Sequence, residues 1–80
     1  MPDPEVAVLI VDDQALFRRA ASTVVKLTPG FAVVGEAESG EAAVDLVEQL
    51  HPGLVLMDIN MAGINGIEAA RRITGGHPEV

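Results

Sequence analysis

Cysteine is absent from this 80-residue sequence, as are tryptophan and tyrosine, and lysine occurs once, at Lys26. The lack of cysteine excludes a disulfide framework and any thiolate metal site, and is compatible with a reducing compartment. The lack of Trp and Tyr removes the platforms for base stacking, and five basic residues against twelve acidic ones give a net charge of −7, the wrong sign for a phosphate backbone. This segment is therefore expected to bind no nucleic acid. Long hydrophobic runs are missing too, since Val6–Val11 is far too short to span a bilayer. The opening residues Met1, Pro2, Asp3, Pro4 and Glu5 do not resemble a secretory leader. A cytoplasmic protein without membrane contact is the expectation.

What is present is aliphatic. Hydrophobic residues make up 49% of the chain but only Phe17 and Phe31 are aromatic, so the core must be Val, Leu, Ile and Ala. Eighty residues allow a single domain over 1–80, and a chain this short buries only about 60% of its unfolded surface.

Two apolar runs organise the rest. Val6–Val11 and Leu54–Met57 read as strands covered on both faces, and each ends on carboxylates, Asp12 and Asp13 after the first and Asp58 after the second. The second run follows the breaker His51-Pro52-Gly53 and leads into a loop containing Asn60, Met61, Ala62 and Gly63. Between the runs, Leu16, Phe17, Ala20, Ala21, Val24 and Leu27 recur at helical spacing. They predict a helix over Gln14–Leu27 with that stripe inward, Arg18, Arg19, Ser22, Thr23 and Lys26 outward, and Thr28-Pro29-Gly30 as its stop. Phe31–Val34 predicts a shorter edge strand, with residues 35–38 leaving towards solvent. Ser39 is a cap for a helix from about Glu41 to Leu50, with Ala43, Val44, Val47 and Leu50 inward. Gly66–Ile73 predicts a third helix, with Ile67, Ala70 and Ile73 inward and Thr74-Gly75-Gly76 as its stop, and residues 77–80 read as the lead into a further strand. The order βαβαβα with right-handed crossovers gives an α/β fold, a parallel sheet with helices on both faces.

Sheets of this kind hold ligands beyond the carboxyl ends of their strands, where all three acids fall. A single Asp there commonly only caps the following helix. Three are different, because unit charges about 4 Å apart repel by roughly 4 kcal/mol at an effective dielectric near 20. Such a cluster calls for a shifted proton or a counter-cation, most naturally a hard divalent ion. His51 and His77 each adjoin proline in a turn and read as solvated loop residues, and Gly63 and Gly66 as backbone geometry.

The segments Val8-Leu9-Ile10-Val11-Asp12-Asp13, Val33-Val34-Gly35-Glu36-Ala37 and Leu56-Met57-Asp58-Ile59-Asn60-Met61, with Gly63 and Gly66, resemble the receiver domain of two-component response regulators, in particular the NarL/LuxR type. The resemblance implies a flavodoxin-like fold with sheet order 2-1-3, here without the last two of five βα units. It implies that Asp58 accepts a phosphoryl group from a sensor histidine kinase. Asp12, Asp13, Asp58 and the backbone carbonyl of Asn60 would ligate Mg²⁺. A receiver of this type accepts and loses a phosphoryl group rather than turning over as a conventional enzyme, and normally controls a C-terminal DNA-binding domain, absent from this sequence.

Two features depart from the family pattern. Ala62 stands where proline is usual, which should loosen the loop without removing chemistry. The missing units would carry a Ser or Thr and a Lys that contact the phosphoryl oxygens, and Lys26, about 18 Å along the first helix, cannot replace them. Arg71 and Arg72 close the third helix and point away as well. A truncated, phosphorylation-incompetent fragment acting only as a dimerisation or interaction module is therefore the alternative reading.

Other rivals fit less well. A dinucleotide-binding enzyme needs a glycine-rich turn where this chain has Asp12-Asp13-Gln14, and a haloacid-dehalogenase-type phosphatase prefers Asp where this chain has Asn60. In the shortened sheet the third strand would be an edge, which invites pairing. Self-association through that strand or an uncovered sheet face is expected, and light scattering should show a mass above the monomer that rises with concentration. A stable folded monomer at high concentration would contradict it.

Overall fold

In the computed structural model, which describes residues 5–58, 66–77 and 80, three parallel strands and three helices alternate along the chain. They are β1 (Val6–Val11), α1 (Ala15–Lys26), β2 (Phe31–Ala37), α2 (Gly40–Leu50), β3 (Leu54–Met57) and α3 (Gly66–Gly76). The sheet order is β2-β1-β3, as the resemblance implied.

Strand β1 is the middle of everything. Val8 to Val11 are at most 1% exposed because alternate residues serve opposite layers. Leu9 and Val11 join Ala37, Ala43, Val47 and Ile73 under α2 and α3, while Val8 and Ile10 meet Val25 under α1. Helix α2 begins as its sequence specifies, with Ser39 Oγ accepting from the Ala42 amide, and ends on His51 in the left-handed conformation at φ 47°. After α1, Gly30 takes φ 90°, which L side chains rarely adopt, and its carbonyl accepts from the Val6 amide at 2.8 Å, seating β2 beside β1.

Three expectations are corrected. β2 does not leave for solvent after Val34. A register shift between Val8 and Leu9 takes up Val34, pairing resumes at Gly35, and Ala37 is buried. Helix α3 runs on to Gly76, because the Thr74 hydroxyl donates back to the Ala70 carbonyl and the His77 amide to that of Ile73. Its inward residues are Ala69 and Ile73, whereas Ile67 and Ala70 are exposed.

The largest departure is α1. Leu16, Phe17, Val24 and Leu27 are 75%, 54%, 65% and 79% exposed and Ala20 is exposed too, whereas Ala21 lies inward as expected, joined by Ser22 and Val25, with Arg18 half-buried. The apolar residues of α1 span more of its circumference than a sheet can cover, and the Arg18 contacts described below select which part faces in.

Ser22 Oγ is buried and has no hydrogen-bond partner among the described residues. An unsatisfied buried hydroxyl costs about 1–3 kcal/mol. Ser22→Ala should therefore hold or raise stability, by about 1 kcal/mol, rather than show the loss common to buried substitutions. Urea denaturation monitored by circular dichroism measures the difference, and a loss above about 1 kcal/mol would show that the hydroxyl is satisfied.

Candidate functional site at the carboxyl edge of the sheet

The acids are brought together by the ladder between β1 and β3. Val11 pairs with Met57, and the hydrogen bonding continues past both strand ends, with the Asp58 amide donating to the Val11 carbonyl at 3.1 Å. On the other side of β1 the Asp12 amide donates to the Ala37 carbonyl at 3.1 Å. Asp12 and Asp58 are thus the first residues beyond two adjacent parallel strands. Asp12, Asp13 and Asp58 each offer a carboxylate oxygen, and these oxygens all lie within 4.8 Å of one another. Asp13 is exposed and the other two are half-buried.

The surroundings sort the three groups. Asp12 Oδ1 accepts from the Gln14 amide at 2.9 Å, so one of its oxygens also steadies the turn into α1. Gln14 itself takes the N-cap position without a side-chain cap bond. A turn contact and clustering therefore coexist at Asp12. Ile10, Val11, Ala21, Leu56 and Met57 line the cleft with Asp12 and Asp58, so one wall of the anionic cluster is apolar. Low polarity on that side strengthens both the repulsion among the carboxylates and their attraction for a cation. The donor set is all oxygen, which suits a hard divalent cation.

Arg18 was assigned to the solvent face and belongs to this site instead. Its Nη1 donates to the Asp12 carbonyl at 2.8 Å and its Nε lies 3.4 Å from Glu36 Oε1, so one guanidinium ties the end of β1 to β2. Helical period gives no signal for this, because the partners are a backbone carbonyl six residues earlier and a side chain on another strand. Lys26 lies in the last turn of α1, as expected, and Arg71 and Arg72 pair with Glu68 of their own helix at 3.2 Å. His51 and His77 come together at the C-terminal ends of α2 and α3, with ring centroids 5.7 Å apart. Asn60, Ala62 and Gly63 lie outside the described residues.

Comparison with known proteins gives a consistent result. The sequence model of the response regulator receiver domain matches residues 8–80. The transcriptional regulatory protein DegU of Brevibacillus brevis is 42% identical over 76 residues, covering 95% of this chain and 32% of DegU. The receiver domain of the putative response regulator NarL from Mycobacterium tuberculosis superposes with a TM-score of 0.88 at 32% identity, covering 92% of this chain and 60% of that one. A DNA-binding response regulator of the LuxR family from Staphylococcus aureus superposes with a TM-score of 0.84 at 30% identity, covering 92% and 62%. The chain spans about a third of the length of the curated relatives it matches.

Because Arg18 fixes the backbone at Asp12, its loss should be felt in stability. Arg18→Met, which keeps the apolar stem, is expected to cost about 1–2 kcal/mol in urea denaturation, as hydrogen bonds to a half-buried charged group do. An unchanged midpoint would mean that the guanidinium contributes nothing to seating Asp12.

Proposed function

The chain belongs to the response regulator receiver domain family, and from that membership we propose that it is a phosphoryl-accepting domain of two-component signal transduction, with Asp58 as the acceptor. The observation that carries this reading is the meeting of Asp12, Asp13 and Asp58 within 4.8 Å at the carboxyl edge of the sheet. The donor would be a phosphohistidine on a sensor histidine kinase. An Asp58 oxygen forms a bond to phosphorus as the phosphorus–nitrogen bond breaks, and the electron pair of that bond stays with the imidazole. The product is an aspartyl phosphate.

Three oxygen donors at this spacing fit magnesium, and Asp12, Asp13 and Asp58, with the backbone carbonyl of Asn60, would hold it. When bound, the ion supplies positive charge between an anionic carboxylate and an anionic phosphoryl group. Asp12 and Asp13 then serve as ligands, and the Gln14 amide and the Arg18 guanidinium hold Asp12 in place. Leu56 and Met57 of β3 line the cleft beside Asp58 with apolar side chains.

The setting we propose is cytoplasmic, and no helix among the described residues is long and apolar enough to cross a membrane. In a longer polypeptide of the NarL/LuxR type, the phosphorylated receiver would control a DNA-binding domain. The second reading, an interaction module without phosphoryl transfer, is supported by the large apolar residues that α1 leaves exposed, Leu16, Phe17, Val24 and Leu27. Self-association by pairing at the outer edge of β3 belongs to either reading.

Incubation with Mg²⁺ and a small-molecule phosphodonor, followed by intact mass measurement, is expected to show addition of one phosphoryl group. Asp58→Asn and chelation of the metal should each abolish it. Absence of the adduct in the unsubstituted, folded chain would overturn the acceptor role and leave the interaction module.

A further inference from the structure

His51 and His77 occupy the same position on two neighbouring helices. Each is the first residue beyond its helix, and its amide closes the last turn by donating to the carbonyl four residues back, His51 to Val47 at 2.9 Å and His77 to Ile73 at 2.7 Å. Helices α2 and α3 lie over one face of the sheet, so the two rings meet where both helices end. Both backbones are anchored. His51 takes the left-handed conformation at φ 47°, Pro52 after it is fully buried, and the Gly53 amide donates to the Ala7 carbonyl at 2.9 Å. The His77 carbonyl accepts from the Val80 amide at 3.1 Å, and Val80 packs on the core under α2 and α3. Two imidazoles are thereby set with their ring centres 5.7 Å apart, the His51 ring exposed and the His77 ring half-buried.

Distance and charge select what such a pair can hold. A zinc ion takes an imidazole nitrogen at about 2.1 Å, which puts each ring centre about 3.2 Å from the metal and two rings at the tetrahedral angle about 5.2 Å apart. The observed spacing lies within about 0.5 Å of that value. Each helix C-terminus also presents the equivalent of about half a negative charge. Neither α2 nor α3 has a basic residue in its last turn, and the chain as a whole carries −7. A cation between the rings is therefore attracted by both helix ends. We propose that His51 and His77 form a binding site for a divalent transition metal of the zinc class, with two imidazole nitrogens as ligands and water completing the shell. Ring nitrogens suit zinc, nickel or copper, whereas the carboxylates at the other edge of the sheet suit harder ions. The two places are well separated. The histidines follow α2 and α3 at the amino edge, and the acids lie beyond the carboxyl edge, the six residues of β1 or about 20 Å away. A bound ion would clamp the end of α2 to the end of α3, and the proposal is independent of the phosphoacceptor role.

The test titrates Zn²⁺ into the full chain, with excess Mg²⁺ present to compete at the acidic edge. Calorimetry gives the affinity, and NMR follows the imidazole ring signals of both histidines. One ion per chain should bind at the pair, and the two sets of ring signals should move together along one curve. Mg²⁺ alone should leave both rings unmoved. His51→Asn, chosen because asparagine tolerates the left-handed conformation, and His77→Asn should each weaken zinc binding by about tenfold, since the second ligand acts intramolecularly. The ring signals of the unsubstituted chain decide the matter should a variant fail to fold. Rings that do not respond to Zn²⁺, rings that respond on separate curves, a folded variant that binds as tightly as the parent chain, or shifts confined to Asp12, Asp13 and Asp58 would each overturn the site.

Discussion

The pairing of β1 with β3 is the constraint on which the rest depends. Its register sets Val11 opposite Met57, and one further hydrogen bond, from the Asp58 amide to the Val11 carbonyl, makes the two following residues neighbours. A slip of one residue would shift Asp58 by about 3.3 Å along the strand and turn its side chain to the opposite face. The register is held by burial on both faces of β1. Leu9 and Val11 are fixed under α2 and α3, and Val8 and Ile10 under α1, so no alternative pairing keeps both layers filled. The chemistry of the acidic edge is thus a consequence of aliphatic packing several ångströms away.

The two faces of the sheet are unequally covered. Among the described residues two helices lie over one face and α1 over the other, with a wider apolar sector than the sheet beneath it can use. The face it turns inward is chosen by polar contacts rather than by hydrophobicity. Arg18 is drawn to the Asp12 carbonyl and to Glu36, which rotates Ser22 into the interior and leaves Leu16, Phe17, Val24 and Leu27 outside. One guanidinium thereby couples the geometry of the acidic edge to the exposure of the helix beside it.

Much of this was readable from residue order. The strand bounds of β1 and β3, the Ser39 cap, the His51 stop and the parallel α/β class follow from period, turn chemistry and capping, all of which act within a few residues. The motifs around Asp12, Asp13 and Asp58 pointed to the receiver family, and the match over residues 8–80 agrees. The misread portions share a cause. The end of β2 depends on a register shift against β1, the end of α3 on a Thr74 hydroxyl turned back onto the helix, and the inward face of α1 on Arg18. Each is decided by a partner that period and propensity do not see.

Sequence by itself determined which residues carry charge, which segments are apolar enough to be buried on both sides, and that carboxylates stand at the ends of two such segments. Tertiary structure decided that those carboxylates share one edge within 4.8 Å, and that half of the apolar sector of α1 faces outward. The physical reason is that apolar pattern is written locally, along one strand or one helix. Proximity between strand ends and the rotation of a helix on its sheet are instead set by register and by long-range polar contacts, which exist only once the layers have packed.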